Sequence, residues 1–165
     1  MDNKKKKYLE ELFNKALNQH LNRQFEDALI LYKKILNTNP NIAVVQNNLG
    51  LIYKELGKQK IAIGLFEKAV TINSKYLEGY NNLGATYNQL NEFKKAIKYS
   101  ELGIKINPKD VKSYHNLAFA FSGIGNQNKA IELYKKIIQL DPKFTQSYFN
   151  LGNIYNNQEK FEQAI

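Results

Sequence analysis

Asparagine stands at Asn14, Asn48, Asn82, Asn116 and Asn150, a step of 34 residues taken without a miss. An asparagine amide carries two N–H donors and a carbonyl acceptor. A regular row of such amides can hydrogen-bond the backbone of an extended peptide, which offers one donor and one acceptor per residue. That chemistry is recognition, not reaction, and it depends little on the peptide's own side chains. Asparagine is common here, 22 of 165 residues, yet five of five at one position exceeds what composition supplies. The competing account is duplication of an ancestral unit in which each amide makes a local hydrogen bond.

Reactive groupings are missing. The chain has no Cys and two His, His20 and His115. Zero Cys excludes a disulfide framework, a thiolate metal site and a cysteine nucleophile, and two His do not make a multi-histidine metal centre. There is no P-loop, no HExxH and no GxGxxG after a strand. The acidic residues sit singly in helical patterns, as solvated charge does. The sequence therefore reads as a non-enzyme that needs no cofactor, no metal and no small-molecule substrate. Net charge is +9, from 24 Lys+Arg against 15 Asp+Glu. Basic charge permits attraction to nucleic acid, but no row of Lys/Arg interleaved with stacking aromatics accompanies it. No apolar run reaches the roughly 18 residues of a membrane span, and no apolar segment follows Lys4–Lys7 to make a secretory signal. A cytoplasmic protein is the expectation.

The elements that place the asparagines repeat with them. Leu49-Gly50, Leu83-Gly84, Leu117-Ala118 and Leu151-Gly152 share the 34-residue step. So do Tyr53, Tyr87, Phe121 and Tyr155, and Ala28, Ala62, Ala96, Ala130 and Ala164. Pro40, Pro108 and Pro142 recur in the same register, with Ser74 in the vacant place. The units run 9–42, 43–76, 77–110, 111–144 and, in part, 145–165, after a basic arm over 1–8 expected to fray. Within 77–110, Tyr80, Leu83, Gly84 and Tyr87 form one apolar stripe at helical spacing, and Ala96, Ile97 and Ile104 form a second. Between them lies Asn91, matched by Gly57 and Gly125, residues that accept the left-handed conformation closing a helix. Asn39-Pro40, Asn107-Pro108 and Asp141-Pro142 read as the cap and first turn of the next helix. The small residue at the eighth place of each unit would let one helix approach the other, with the alanine at the twentieth facing it. One helical hairpin cannot bury its apolar face; stacked hairpins can, and they form a solenoid.

The pattern Tyr80-x2-Leu83-Gly84-x2-Tyr87, then Ala96, then Pro108, resembles the tetratricopeptide repeat family over residues 9–165. The resemblance implies an all-α, right-handed superhelical solenoid of antiparallel helix hairpins, with the first helix of each hairpin lining a concave groove. It implies a protein or peptide partner held in that groove. The asparagine row is similar to the ladder in the tetratricopeptide region of the O-linked N-acetylglucosamine transferases. On this reading the groove wall comprises the five asparagines together with Asn47, Asn81, His115, Leu51, Phe119, Phe149 and Lys112. The two-carboxylate clamp of some family members is met only in part, by Asn47 and Leu51, Asn82, and Lys112 and Asn116.

Two departures carry expectations. Ser100 and Gly103 replace bulkier residues of the other units, so the second helix of the third unit should pack less densely; a helical Gly costs about 1 kcal/mol against Ala. Ile165 falls within a helix, which leaves an apolar face for a continuing chain or for self-association. The leading function is a protein-interaction scaffold. The alternative is the substrate-docking or assembly segment of a larger enzyme such as a glycosyltransferase, and nucleic-acid binding rests on charge alone. The lysine pairs Lys33-Lys34, Lys94-Lys95 and Lys135-Lys136 should lie on the outer face.

Overall fold

The structure is a computed structural model and describes residues 3–157. The described residues are all-α: α1 (Asn3–Leu21), α2 (Phe25–Thr38), α3 (Ala43–Glu55), α4 (Gln59–Ile72), α5 (Leu77–Gln89), α6 (Phe93–Ile106), α7 (Val111–Gly123), α8 (Gln127–Leu140) and α9 (Thr145–Asn157). Successive helices pack as hairpins, and the chain divides into two compact units, one ending at Gly79 and one beginning at Tyr80. Met1, Asp2 and residues 158–165, with Ala164 and Ile165, lie outside the described residues.

The links within the hairpins explain the fixed period. Each is closed by a residue with positive φ at one place in the repeat: Arg23 (58°), Gly57 (72°), Asn91 (57°) and Gly125 (83°). The backbone N–H that follows reaches back five residues, as in Lys58 N to Tyr53 O at 2.8 Å and Asn126 N to Phe121 O at 2.9 Å. This double-bonded ending satisfies carbonyls that the helix leaves open. Gly and Asn adopt the conformation readily. Arg23 does so against a steric preference of about 1 kcal/mol, and it is held by Glu55 at 3.2 Å and by the Phe25 ring.

The asparagine or aspartate at the unit boundary ends one helix and does not start the next. Asn39, Asn73, Asn107 and Asp141 are the C-caps of α2, α4, α6 and α8, all with extended backbone. Each side-chain Oδ1 accepts the backbone N–H two residues on, at 3.0–3.1 Å. A following Pro favours the extended conformation, but Asn73 adopts it before Ser74 as well, and in all four the carboxamide or carboxylate closes a turn on itself. The start of α7 is capped by Asp110, which accepts Ser113 N at 2.8 Å.

Lys4–Lys7 also depart from expectation, because they lie in the first turns of α1 rather than in a frayed arm. Lysine is a good helix former, and the segment is tied down where Lys34 lies over the Tyr8 ring and Leu9 is buried.

In the N-terminal unit the core gathers Leu9, Ala16, Ala28, Tyr32, Ile35, Val45, Leu49 and Ile52. In the C-terminal unit it gathers Leu117, Ala118, Ala130, Leu133, Tyr134, Ile137 and Ile154. The small residue at the eighth place faces the twenty-fourth-place side chain rather than the alanine. A Cβ on Gly50 would sit 2.5 Å from the Phe66 ring, and one on Gly84 would sit 2.8 Å from Ser100 Oγ. On α6 the buried set is Ala96, Ser100 and Gly103, where α8 buries Ala130, Leu133, Tyr134 and Ile137. Tyr99 makes up part of the loss by stacking flat on Tyr87, with ring centroids 5.5 Å apart. A cleft of about 780 Å³ lies between α6, α7 and α8, lined from α6 by Glu101, Ile104 and Lys105 and not by Ser100 or Gly103. Lys33, Lys34, Lys94, Lys95, Lys135 and Lys136 are all exposed.

Candidate functional site

The asparagine row divides by unit. In the N-terminal unit Asn14 is exposed. Asn47 and Asn48 are buried, 3% and 9% exposed, where an open wall was expected. Asn48 Nδ2 donates to the Tyr32 hydroxyl at 3.2 Å. Burial raises the pKa of that hydroxyl, and the Asn48 bond offsets this only in part. Leu51 is half-buried. The physical reason for the correction is the tyrosine: its hydroxyl is sealed from water and needs a partner, and the amide one repeat step along supplies it.

In the C-terminal unit the amides are half-buried and join neighbouring first helices. Asn81 Nδ2 donates to Asp110 Oδ2 at 2.9 Å, and Asn81 Oδ1 accepts from Ser113 Oγ at 2.7 Å. Asn116 Nδ2 donates to the backbone carbonyl of Asn81 at 3.0 Å, while Asn88 Nδ2 donates to the backbone carbonyl of Asn116 at 2.8 Å. α5 and α7 are thus stitched at two levels. Asn82 is half-buried, and its backbone carbonyl accepts Thr86 Oγ1 at 2.6 Å.

α7 and α9 are joined through His115. Asn150 Nδ2 lies 3.3 Å from His115 Nε2, and the ring packs edge-on to Phe144 with centroids 5.3 Å apart. Burial lowers the His115 pKa below its usual 6.5, so the ring is neutral at pH 7 and can accept the amide proton. Asn150 also hydrogen-bonds Tyr134, whose pKa burial pushes up to about 12. Tyr32 and Tyr134 occupy the same place in their repeats, as do Asn48 and Asn150, so the amide–tyrosine pairing recurs.

Besides Asn14, three residues of the expected wall remain open. Phe119 is 43% exposed, Phe149 is 68% exposed, and Lys112 is exposed. Large aromatics left in water on one helix face after another are the informative feature, because apolar surface in contact with solvent is a reserve for association. Sequence reasoning missed Asp110 and Ser113, which hold Asn81 in place. The sequence signals for them are the serine step Ser113 and Ser147 and, for Asp110, an N-cap residue type just before the helical stripe of α7.

Among the described residues no group of three or more His, Asp or Glu is placed to hold a metal ion, and no helix is long and apolar enough to cross a membrane.

No curated protein sequence matches the chain. Solved structures do. A crystal structure of MamA aligns with a TM-score of 0.82 at 28% identity, covering 90% of this chain and 87% of that one. MamA 41-end from Desulfovibrio magneticus RS-1 aligns with a TM-score of 0.86 at 21% identity, covering 94% and 88%. YrrB, described as a TPR protein with an unusual peptide-binding site, aligns at 0.77 and 23% identity, covering 93% and 79%. The last two likenesses bear on the fold alone. A tetratricopeptide-repeat family profile matches residues 43–76, 77–110 and 111–144, and a second profile of that description matches 133–165. With most of its length matched and its helices paired in the family's register, the chain belongs to the tetratricopeptide repeat family.

Proposed function

We propose that this protein is an interaction module that holds a peptide segment of a partner across α5, α7 and α9 of the C-terminal unit. The observation that carries the reading is the exposure of Phe119 and Phe149 beside half-buried amides. The aromatics anchor the ligand, since covering such a side chain is worth about 1.5–3 kcal/mol. The amides of Asn82, Asn116 and Asn150 align it. An amide has two donors and an acceptor, so Asn116, with one donor on the Asn81 carbonyl, keeps capacity for a peptide backbone. Lys112 favours an acidic side chain nearby. The amide row therefore has two duties on this reading, stitching helices and meeting the ligand, and the same row in the N-terminal unit has mainly the first.

A peptide array from the native host's proteins, followed by titration of the strongest binders, tests the reading. Phe119→Ala with Phe149→Ala should weaken binding at least tenfold, and Asn82→Ala with Asn116→Ala should weaken it less. Unchanged affinity in the aromatic pair would overturn the assignment of the face. Unchanged affinity in the amide pair alone would remove the ladder and leave the aromatic anchor.

A further inference from the structure

A cleft in the C-terminal unit is away from the amide row. It lies between α6, α7 and α8, has a volume of about 780 Å³, and shares no residue with the proposed peptide face. Its apolar lining is Ile104 from α6, Tyr114 and Leu117 from α7, and Leu133 from α8. Lys105 stands exposed on the α6 side, and Lys135 and Lys136 stand exposed on the α8 side. Of the two acidic residues in the lining, Glu132 is held by Lys129 at 2.9 and 3.0 Å, which leaves Glu101 against the three lysines.

We propose that this cleft is a second docking surface, and that its occupant is an acidic amphipathic helix of a partner protein. The walls are helices whose backbone groups are already paired internally. An extended peptide laid here would find no backbone partners for its own N–H and C=O groups, and each group left without water or a partner is costly. A helical ligand brings those bonds with it and needs only an apolar stripe, the arrangement of a helix seated in a groove. The apolar floor receives that stripe. The lysines on both rims select carboxylates along its flanks by charge complementarity. The volume lies within the range of ordinary ligand clefts. A single half-buried ring, Tyr114, does not make the stacking platform a nucleic acid would use.

The probe is a fluorescein-labelled helical peptide with Leu at i, i+4 and i+7 and Glu on its remaining faces, with a Lys-for-Glu counterpart as control. Anisotropy titration at low salt should show the Glu peptide binding at least tenfold more tightly than the Lys peptide. The exposed-residue variant Lys105→Glu/Lys135→Glu/Lys136→Glu should reverse that preference while keeping its helical circular dichroism. Methyl resonances of Ile104 and Leu133 should shift on binding. The proposal fails if the two peptides bind alike, if the triple variant keeps the wild-type preference, or if the shifts fall elsewhere. It also fails if poly(U) RNA displaces the Glu peptide at equal charge concentration, because the surface would then be a general polyanion site.

Discussion

The two units place the same residue type at the same repeat position and give it different exposure. In the N-terminal unit, Asn48 is buried against Tyr32 and Asn47 is buried beside it. In the C-terminal unit, Asn81, Asn82, Asn116 and Asn150 are half-buried, with Phe119 and Phe149 open nearby. The residue at the twenty-fourth place sets the amide's partner. A tyrosine there draws in an amide, buried for Asn48 on Tyr32 and half-buried for Asn150 on Tyr134. Where Ser100 stands instead, Asn116 turns to the backbone of α5. An asparagine in a repeat therefore shows a capacity for hydrogen bonding, and its neighbour one repeat back decides which partner takes that capacity up.

Four effects, read from five substitutions, test this comparison. The largest effect is expected at Phe66, which is fully buried against Gly50. Phe66→Ala should cost about 3–5 kcal/mol, read as a fall in urea midpoint that is greatest for probes in the N-terminal unit. A loss under 1 kcal/mol would mean that the twenty-fourth place is not the organising contact. Asn48→Ala strands the Tyr32 hydroxyl and should cost about 1–3 kcal/mol. Tyr32→Phe combined with it should restore part of the loss in a double-mutant cycle. An additive result would show that the pair is not coupled.

The third effect is one of pH. The folded His115 pKa is lowered, so as pH falls through about 6.5 the unfolded chain takes up its proton first and the folded state loses stability. That loss deepens until the folded pKa is passed. His20 is lowered too, by burial, against a raising effect from Glu55. His115→Gln should therefore shrink, without abolishing, the fall in melting temperature between pH 7.5 and pH 5. The smallest effect is expected at Ser100, whose Oγ is buried without a hydrogen-bond partner among the described residues. Ser100→Ala should be neutral or stabilising by about 1 kcal/mol. A clear loss would reveal a bond that Ser100 makes in solution.

The helices, their pairing and most of their closing residues were legible because period and turn chemistry are local. Gly57, Asn91 and Gly125 announce a left-handed turn; Arg23, at the same place, does not, and only its neighbours Glu55 and Phe25 account for it. The Asn-Pro pairs were read as helix starts because both residues suit that place in isolation. What decides is the extended Asn or Asp whose Oδ1 takes the backbone N–H two residues on, with proline next or, at Asn73, with Ser74 next, which puts the cap at the preceding helix's end. The candidate face was legible as positions and not as exposures. Whether an amide faces water depends on a contact 16 residues away, as for Asn48 and Tyr32, or 35 away, as for Asn116 and Asn81. Periodicity within one helix carries no such information. Tyr99 shows the same limit, since its stacking on Tyr87 compensates for a loss at its neighbour Ser100.

Each hairpin link is closed by one left-handed residue at one fixed place, which makes the array intolerant of changes in length there. Adding a single residue beside Gly125 would turn α8 by about 100° relative to α7. Ala130, Tyr134 and Ile137 would then swing away from the interior together, a phase error that no later residue in that helix can correct. Surface substitutions should accumulate freely in such a chain, whereas insertions should be confined to whole repeats.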